Sequence, residues 1–416
     1  MVYVISKEEF PLMPCTEAKA RKLLRNGRAN IYKYEPFTIQ LNFTCENKVQ
    51  DVNLGIDAGS KCIGVSATTP NKVLYEANVI LRNDITDKLS TRREFRQARR
   101  NRKTRYRKAR FKNRVHSKHK GWLAPSVENK IQTHIRVVSD VCKILPIKNI
   151  IVETAQFDVQ KIKNPSISGE EYQQGEQLGF WNLREYILFR DNYTCQHCKG
   201  KSKDKILEVH HIESRKIGGD APNNLITLCS TCHAKYHRGE IDLNIKRGKS
   251  FKDAAFMGIM RKTLLKKLHE LYPNVSETFG YITKNTRIAN NLPKEHYIDA
   301  RCISGNPQAK SDGVYYLCKK VRVHNRQLHK ATINKGGYRK NNQCEKYVFG
   351  YQLFDKVKML NGEIGFVFGR RKSGSFKIAK LDGTILSNGV TFRKLKFIKC
   401  CNGMLIERRV VAPPIS

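Results

Sequence analysis

The spacing of hydrophobic and polar positions changes several times along this chain, and each change marks an element. VYVIS near the start reads as a short strand, PLMP at 11–14 as a rigid corner, and FTIQLNF, by its alternation, as a second strand. Between them, TEAKARKLLRNG opens on a capping residue, Thr16, and stops at Gly27, as a helix does. VNLGID, KCIGVSAT and LYEANVIL read as two or three strands, with the turn DAGS after the first. Ile131, Ile135, Val138, Cys142 and Leu145 recur at helical spacing until Pro146 ends the run. KNIIVET is then a short apolar run suited to a buried strand.

Strand, hairpin, helix and strand in this order predict a multidomain α/β protein with a sheet of ribonuclease-H type. Residues 160–180 are polar, hold Gly169, Gly175 and Gly179, and read as a linker. A helix is expected over 253–271, and YITKNTRIANNLPKEHYIDARCI should give a strand and another helix. From about 312 the chain turns to short strands punctuated by NG at 361, DG at 382, NG at 388 and NG at 402. Such pairs mark hairpin turns, so the C-terminal part should be a small β-rich module.

Composition adds a partner. Lys plus Arg number 78 against 37 acids, a formal charge of +41, which a polyanion such as nucleic acid would neutralise. No segment joins a long apolar face to the basic residues, which argues against a membrane surface. There is no apolar run of about 18 residues, and Lys7, Glu8 and Glu9 stand where a signal peptide would be apolar. Thirteen cysteines, nine of them without framework spacing, fit a reducing cytoplasm.

Four cysteines do have a pattern. Cys195, Cys198, Cys229 and Cys232 form two C-x-x-C half-sites thirty residues apart, able to close a tetrahedron around a structural Zn²⁺. Inside the loop lies EVHHI, followed by NNLITLC and CHAKYH. That order of histidine, asparagine and histidine resembles the ββα-metal (HNH) nuclease motif. In such a motif His211 stands at the position of the general base. His210, His233 and His237 are the natural ligands of a catalytic ion, and Asn224 would brace the His211 loop. Mg²⁺ is the ion expected at this cluster as at the carboxylates below, but a hard ion ordinarily prefers oxygen ligands, so the choice stays open. The plainer reading is a zinc ribbon that binds without cutting.

A second set of groups is acidic. Asp57 ends the GIDAGS strand, Glu153 ends IIVET, and HYIDA puts His296 and Asp299 on one helical face. Three carboxylates at one sheet edge could hold two Mg²⁺ ions about 4 Å apart for in-line phosphodiester displacement, with His296 placed to deprotonate water. A GIDAGS-like turn also opens the phosphate loop of actin-type ATPases, but the second D-x-G loop expected of those is missing. Residues 88–114 hold 14 Lys/Arg and one acid, Glu94. Arg92, Arg93, Arg96, Arg99, Arg100, Arg102, Arg105, Arg107, Arg110 and Arg114 would ring a helix that forms on a bound polyanion, their guanidinium forks on phosphates. The bland alternative is a solvated basic helix.

These pieces, in this order, resemble the IscB family, transposon-encoded RNA-guided nucleases regarded as ancestral to CRISPR effectors with both RuvC and HNH domains. FPLMP with KARKLLRNGRA and PFTIQL looks like that family's PLMP module, and GIDAGS, IIVET and HYIDA look like its three RuvC motifs. The resemblance implies a PLMP module at 1–50, RuvC parts at 51–87, 119–165 and 246–311, and an Arg-rich bridge helix at 88–118. It also implies a linker with the HNH domain at 166–245 and a guide-RNA and adjacent-motif region at 312–416. It assigns RuvC roles to Asp57, Glu153, His296 and Asp299, and HNH roles to His210 and His211. The implied activity is a double-strand break in DNA: HNH cuts the guide-paired strand and RuvC the displaced one, in a ribonucleoprotein with one protein copy. The rivals are a protein-guided HNH endonuclease of homing or restriction type and a non-catalytic RNA-binding relic. A second complete carboxylate site argues against the first, and intact acids and histidines in both sites argue against the second.

Overall fold

The structure, a computed structural model, describes residues 1–100, 121–154, 182–213, 220–248, 252–323 and 345–411, with side chains at 99–100 and 252–256 set aside. Two compact units emerge, Met1–Ala155 with Ile259–Ser416, and Gln156–Gly258.

The first unit begins with β1 (Val2–Ile5), β2 (Pro11–Cys15), α1 (Glu17–Arg25), β3 (Ala29–Tyr34) and β4 (Phe37–Leu41). The strands form a sheet of order β2-β1-β4-β3 over a core of Val2, Val4, Leu12, Ala20, Ile39 and Leu41. Thr16 caps α1 by accepting from the Lys19 amide at 3.3 Å, and Gly27 leaves it at φ 66°. PLMP is not a corner: it lies within β2. The strand tolerates both prolines because it is an edge, paired only with β1 and with its register shifted between Val2 and Val4.

Next come β5 (Val52–Ala58), β6 (Cys62–Thr68), β7 (Val73–Ile80), α2 (Ile85–Arg100), α3 (Pro125–Cys142) and β8 (Ile147–Glu153). β5, β6 and β7 form an antiparallel meander, and β8 runs parallel beside β5. Burial on both faces explains why these strands read as near-continuous apolar runs. α3 starts on Pro125 at its first turn and ends three residues before the expected Leu145.

The second unit contains α4 (Leu183–Arg190), β9 (Leu207–His211), β10 (Leu225–Cys229) and α5 (Ser230–His237), with β9 and β10 antiparallel. The chain then continues through α6 (Lys252–Leu271) to β11 (Val275–Thr278), which pairs in parallel with β8. In place of the expected strand and helix over 281–303 there are two helices, α7 (Gly280–Ala289) and α8 (His296–Ile303). The Ile and Thr of YITKNTRIA favour a strand by propensity, but α7 turns Thr283 inward and leaves Tyr281, Ile282 and Ile288 outside.

The last elements are β12 (Val314–Lys320), β13 (Lys356–Met359), β14 (Ile364–Arg370), β15 (Ser375–Ala379), β16 (Ile385–Thr391), β17 (Leu395–Lys399) and β18 (Met404–Val410). β12 and β18 join the large sheet, whose order is β11-β8-β5-β6-β7-β12-β18. Strand pairing therefore runs through the expected boundary at 312; β13 to β17 form a separate five-stranded sheet. Asn361-Gly362, Asp382-Gly383 and Asn402-Gly403 lie in turns, each glycine at positive φ, but the last joins two sheets instead of closing a hairpin. Asn388-Gly389 is no turn. It sits inside β16 where the register against β15 shifts, as glycine does at a bulge.

α8 lies across the large sheet with its backbone on two glycines. A Cβ on Gly64 would stand 1.9 Å from the His296 carbonyl oxygen, and one on Gly55 would stand 2.0 Å from that of Ala300. Gly64→Ala should therefore lift α8 and destabilise the first unit by about 1–3 kcal/mol, read as a lower thermal midpoint. An unchanged midpoint would show that the helix can yield without loss.

Candidate functional site

Each unit carries a cluster of chemistry-bearing side chains. In the second unit the four cysteine sulfurs lie within 4.8 Å of one another, and Cys198 and Cys229 are 3.9 Å apart. Thiolates at about 2.3 Å from zinc in a tetrahedron are about 3.8 Å apart, so the quartet fits that ion. Cys229 caps α5, its sulfur accepting from the Cys232 amide, and Asp204 fixes the same turn through Ser230 and Thr231. Burial raises the Cys198 thiol, but the Ser202 hydroxyl and nearby amides outweigh it and bring it down to about 6, where a thiolate is available.

The histidines form the second group. His210, His233 and His237 offer ring nitrogens within 4.8 Å of one another, with Nε2 of His233 and His237 3.1 Å apart. His210 Nε2 is buried with no hydrogen-bond partner. Burial, then the charges of His233 and His237, push His210 down to about 4, so it is neutral at pH 7 with its lone pair free for a cation. Alternation along β9 sends Glu208 and His210 to one face, and the Glu208 carboxylate meets His233 Nδ1. His211 faces the other way and is not among the converging ligands; its Nε2 meets Asp220 Oδ1 at 2.9 Å. Buried Asn224 braces the loop two residues beyond His211, accepting from the Glu213 amide at 2.9 Å and donating to its carbonyl at 3.0 Å.

In the first unit, Asp57 and Glu153 are register partners at the ends of β5 and β8. α8 brings His296 and Asp299 over them. His296 Nδ1 lies 2.6 Å from Asp57 Oδ2, and Arg287 of α7 pairs with Asp299 at 2.9 Å. Burial raises the Glu153 pKa, and the charges of Asp57 and Asp299 add to it. Asp299 is raised by burial and by Asp57. The hydrogen bond to Asp57 raises His296 despite its burial. The three carboxylates thus share one field, although their oxygens do not gather as closely as the two clusters above. Three neighbouring carboxylates with hard oxygen donors fit divalent cations such as Mg²⁺.

Arg92, Arg93 and Arg96 lie exposed on α2. The side chains of Arg99 and Arg100 and all of Arg102, Arg105, Arg107, Arg110 and Arg114 fall outside the described residues. Glu208, Asp220 and Arg287 were not foreseen. Glu208 had a signal, since it stands two residues before His210 in a strand and so shares its face.

Residues 195–239 match the HNH endonuclease family. The chain carries an HNH endonuclease domain. It is a nuclease, and a divalent metal is general to such domains. Residues 2–175 match the RRXRR protein family, which occurs in IscB- and Cas9-like nucleases, so this HNH nuclease is similar to that broad kind. Anaredoxin of Nostoc sp. is 39% identical over 59 residues, 14% of this chain and 74% of that protein. A Streptococcus thermophilus Cas9 in complex with the AGAA PAM aligns at TM-score 0.35 and 12% identity, over 62% of this chain and 32% of that one. Another, with the AGGA PAM, aligns at 0.28 and 14%, over 45% and 26%. The chain therefore spans less than a third of the length of these two Cas9 chains. Among the described residues no helix is long and apolar enough to cross a membrane.

Two outcomes follow from the HNH nuclease's side-chain geometry. Glu208→Ala should weaken divalent-metal binding at the histidines about 10- to 100-fold by calorimetric titration, leaving zinc affinity at the cysteines unchanged. Equal affinity in the variant would mean that Glu208 does not orient His233. In EDTA, the His296 ring should titrate above its ordinary value by NMR, and Asp57→Asn should return it. Because the folded value is raised, the pair's stabilisation is present below pH ~6.5 and lost as pH rises through the folded pKa. An unshifted ring would mean that the contact does not form in solution.

Proposed function

We propose that this nuclease is an RNA-guided DNA endonuclease of the IscB type, cutting the guide-paired strand with its HNH domain and the displaced strand with a RuvC-type site. The observation that carries the reading is the presence of two nuclease-like constellations in one chain, imidazoles in one unit and carboxylates in the other. Support for a ribonuclease-H-like core comes from the β5–β6–β7 meander with β8 and β11 added in parallel beyond β5, acids ending β5 and β8. The +41 charge supports a nucleic-acid complex, with guide RNA and a DNA duplex bearing a short adjacent motif as partners.

In this reading Asp57, Glu153 and Asp299 hold Mg²⁺, and the four cysteines hold structural zinc. His210, His233 and His237 hold the HNH ion, for which three imidazoles suit a borderline metal better than Mg²⁺. Bound divalent ions supply charge stabilisation at the phosphate and a more acidic water. His211, with Nε2–H donating to Asp220, keeps Nδ1 as the base that accepts the water's proton. At the other site His296 stands on Asp57, placed to take the corresponding proton. The exposed arginines of α2 would grip phosphates of the guide.

The protein is expressed with its native flanking DNA, the RNA that copurifies is sequenced, and a matching duplex is supplied. One discrete structured RNA is expected, with Asp57→Ala and His211→Ala each leaving a nick on opposite strands and only the double variant inert. A random smear of RNA would favour a protein-guided HNH endonuclease. Loss of both cuts in either single variant would overturn the two-site reading.

A further inference from the structure

We propose that Phe279 and Tyr281 form a stacking platform for an unpaired nucleobase of the strand cut at the carboxylate site, which rests on reading Asp57, Glu153 and Asp299 as a nuclease centre. The two rings are parallel within 10°, with centroids 6.2 Å apart, and are 40% and 67% exposed. They flank Gly280, and Glu153 Oε1 lies 3.1 Å from where a Cβ on that glycine would stand. The residue between the two aromatics thus meets the carboxylate.

The orientation of α7 is the second observation. An amphipathic helix ordinarily buries its apolar side. Here Thr283 is 5% exposed and Arg287 reaches Asp299, while Tyr281, Ile282 and Ile288 face outward. The polar face of the helix serves the carboxylates, and the apolar face is left for a partner. Lys284, exposed three residues after Tyr281, adds a cation on the same face. Aromatic rings beside a cation, next to a phosphodiester-cutting site in a chain of charge +41, match single-stranded nucleic acid. A paired duplex keeps its bases stacked on one another, so the platform selects an unpaired strand and sets its scissile phosphate over Asp57 and Glu153.

The test uses the full chain with its copurified RNA and a cognate duplex, following cleavage of each labelled strand under single-turnover conditions. Abasic residues are placed one at a time along the strand cut in an Asp57-dependent manner. At one position near the cut the abasic residue should slow that cut by about tenfold. Tyr281→Ala should slow it similarly on intact DNA and lose the abasic effect, Tyr281→Trp should restore both, and the His211-dependent cut should keep its rate. A merely structural role for Tyr281 would leave the abasic effect in place in the alanine variant and overturn the proposal. So would an absence of any abasic-sensitive position in the wild type. If Asp57→Ala spares both cuts, the nuclease reading of the carboxylates fails, and the platform with it. If Asp57→Ala removes one cut but Tyr281→Ala changes nothing, the platform alone fails.

Discussion

The close approach of α8 to the large sheet is the constraint on which the first unit's chemistry depends. Only residues without a Cβ at 55 and 64 let helix backbone rest on strand backbone. That approach brings the His296 ring within 2.6 Å of a carboxylate at the end of β5. It is held from several sides. Arg301 pairs with buried Glu76 of β7 at 2.7 Å, and Ser304 exchanges a 2.7 Å hydrogen bond with Thr68 and accepts one from Asn53. These contacts join positions more than two hundred residues apart in sequence, so the site is assembled by tertiary packing and not by any local motif.

The second unit solves the opposite problem. Its core around Ile226, Leu228 and Leu243 is small, and three of the four cysteines are buried within it. So small an apolar cluster gives little stability by itself, and a metal that cross-links the two C-x-x-C turns would add folding free energy outright. The same turn starts α5, whose His233 and His237 face His210. A metal on the cysteines would therefore also fix where His233 and His237 stand.

Local patterning carried much of this into the sequence. The meander, β8, α3 and α6 are long or strongly periodic, the cysteine cluster follows from spacing, and the histidine cluster from its resemblance to the HNH motif. What escaped depends on neighbours. PLMP is a strand because β1 pairs with it; Asn388-Gly389 is a bulge because β15 runs past it; β12 and β18 enter the large sheet through β7. α7 misled for a functional reason, since its inward face is chosen by the carboxylates it meets and not by hydrophobicity. Asp220 and Arg287 escaped because a lone acid or cation has no signature until its partner is known.

The charge pattern explains why such carboxylates are tolerable in a fold of this kind. Asp57 and Asp299 each have a partner on the chain itself, the His296 ring and the Arg287 guanidinium. Glu153, half-buried beside the start of α7, has its carboxyl raised first by burial and then by the charges of Asp57 and Asp299. Asp299 is raised in the same way, by burial and then by Asp57, so the partners on the chain offset the carboxylates only in part. A divalent cation offsets the rest most effectively where Glu153 and Asp57 are held side by side, and β5 and β8 provide that register. The excess of Lys and Arg elsewhere cannot do so.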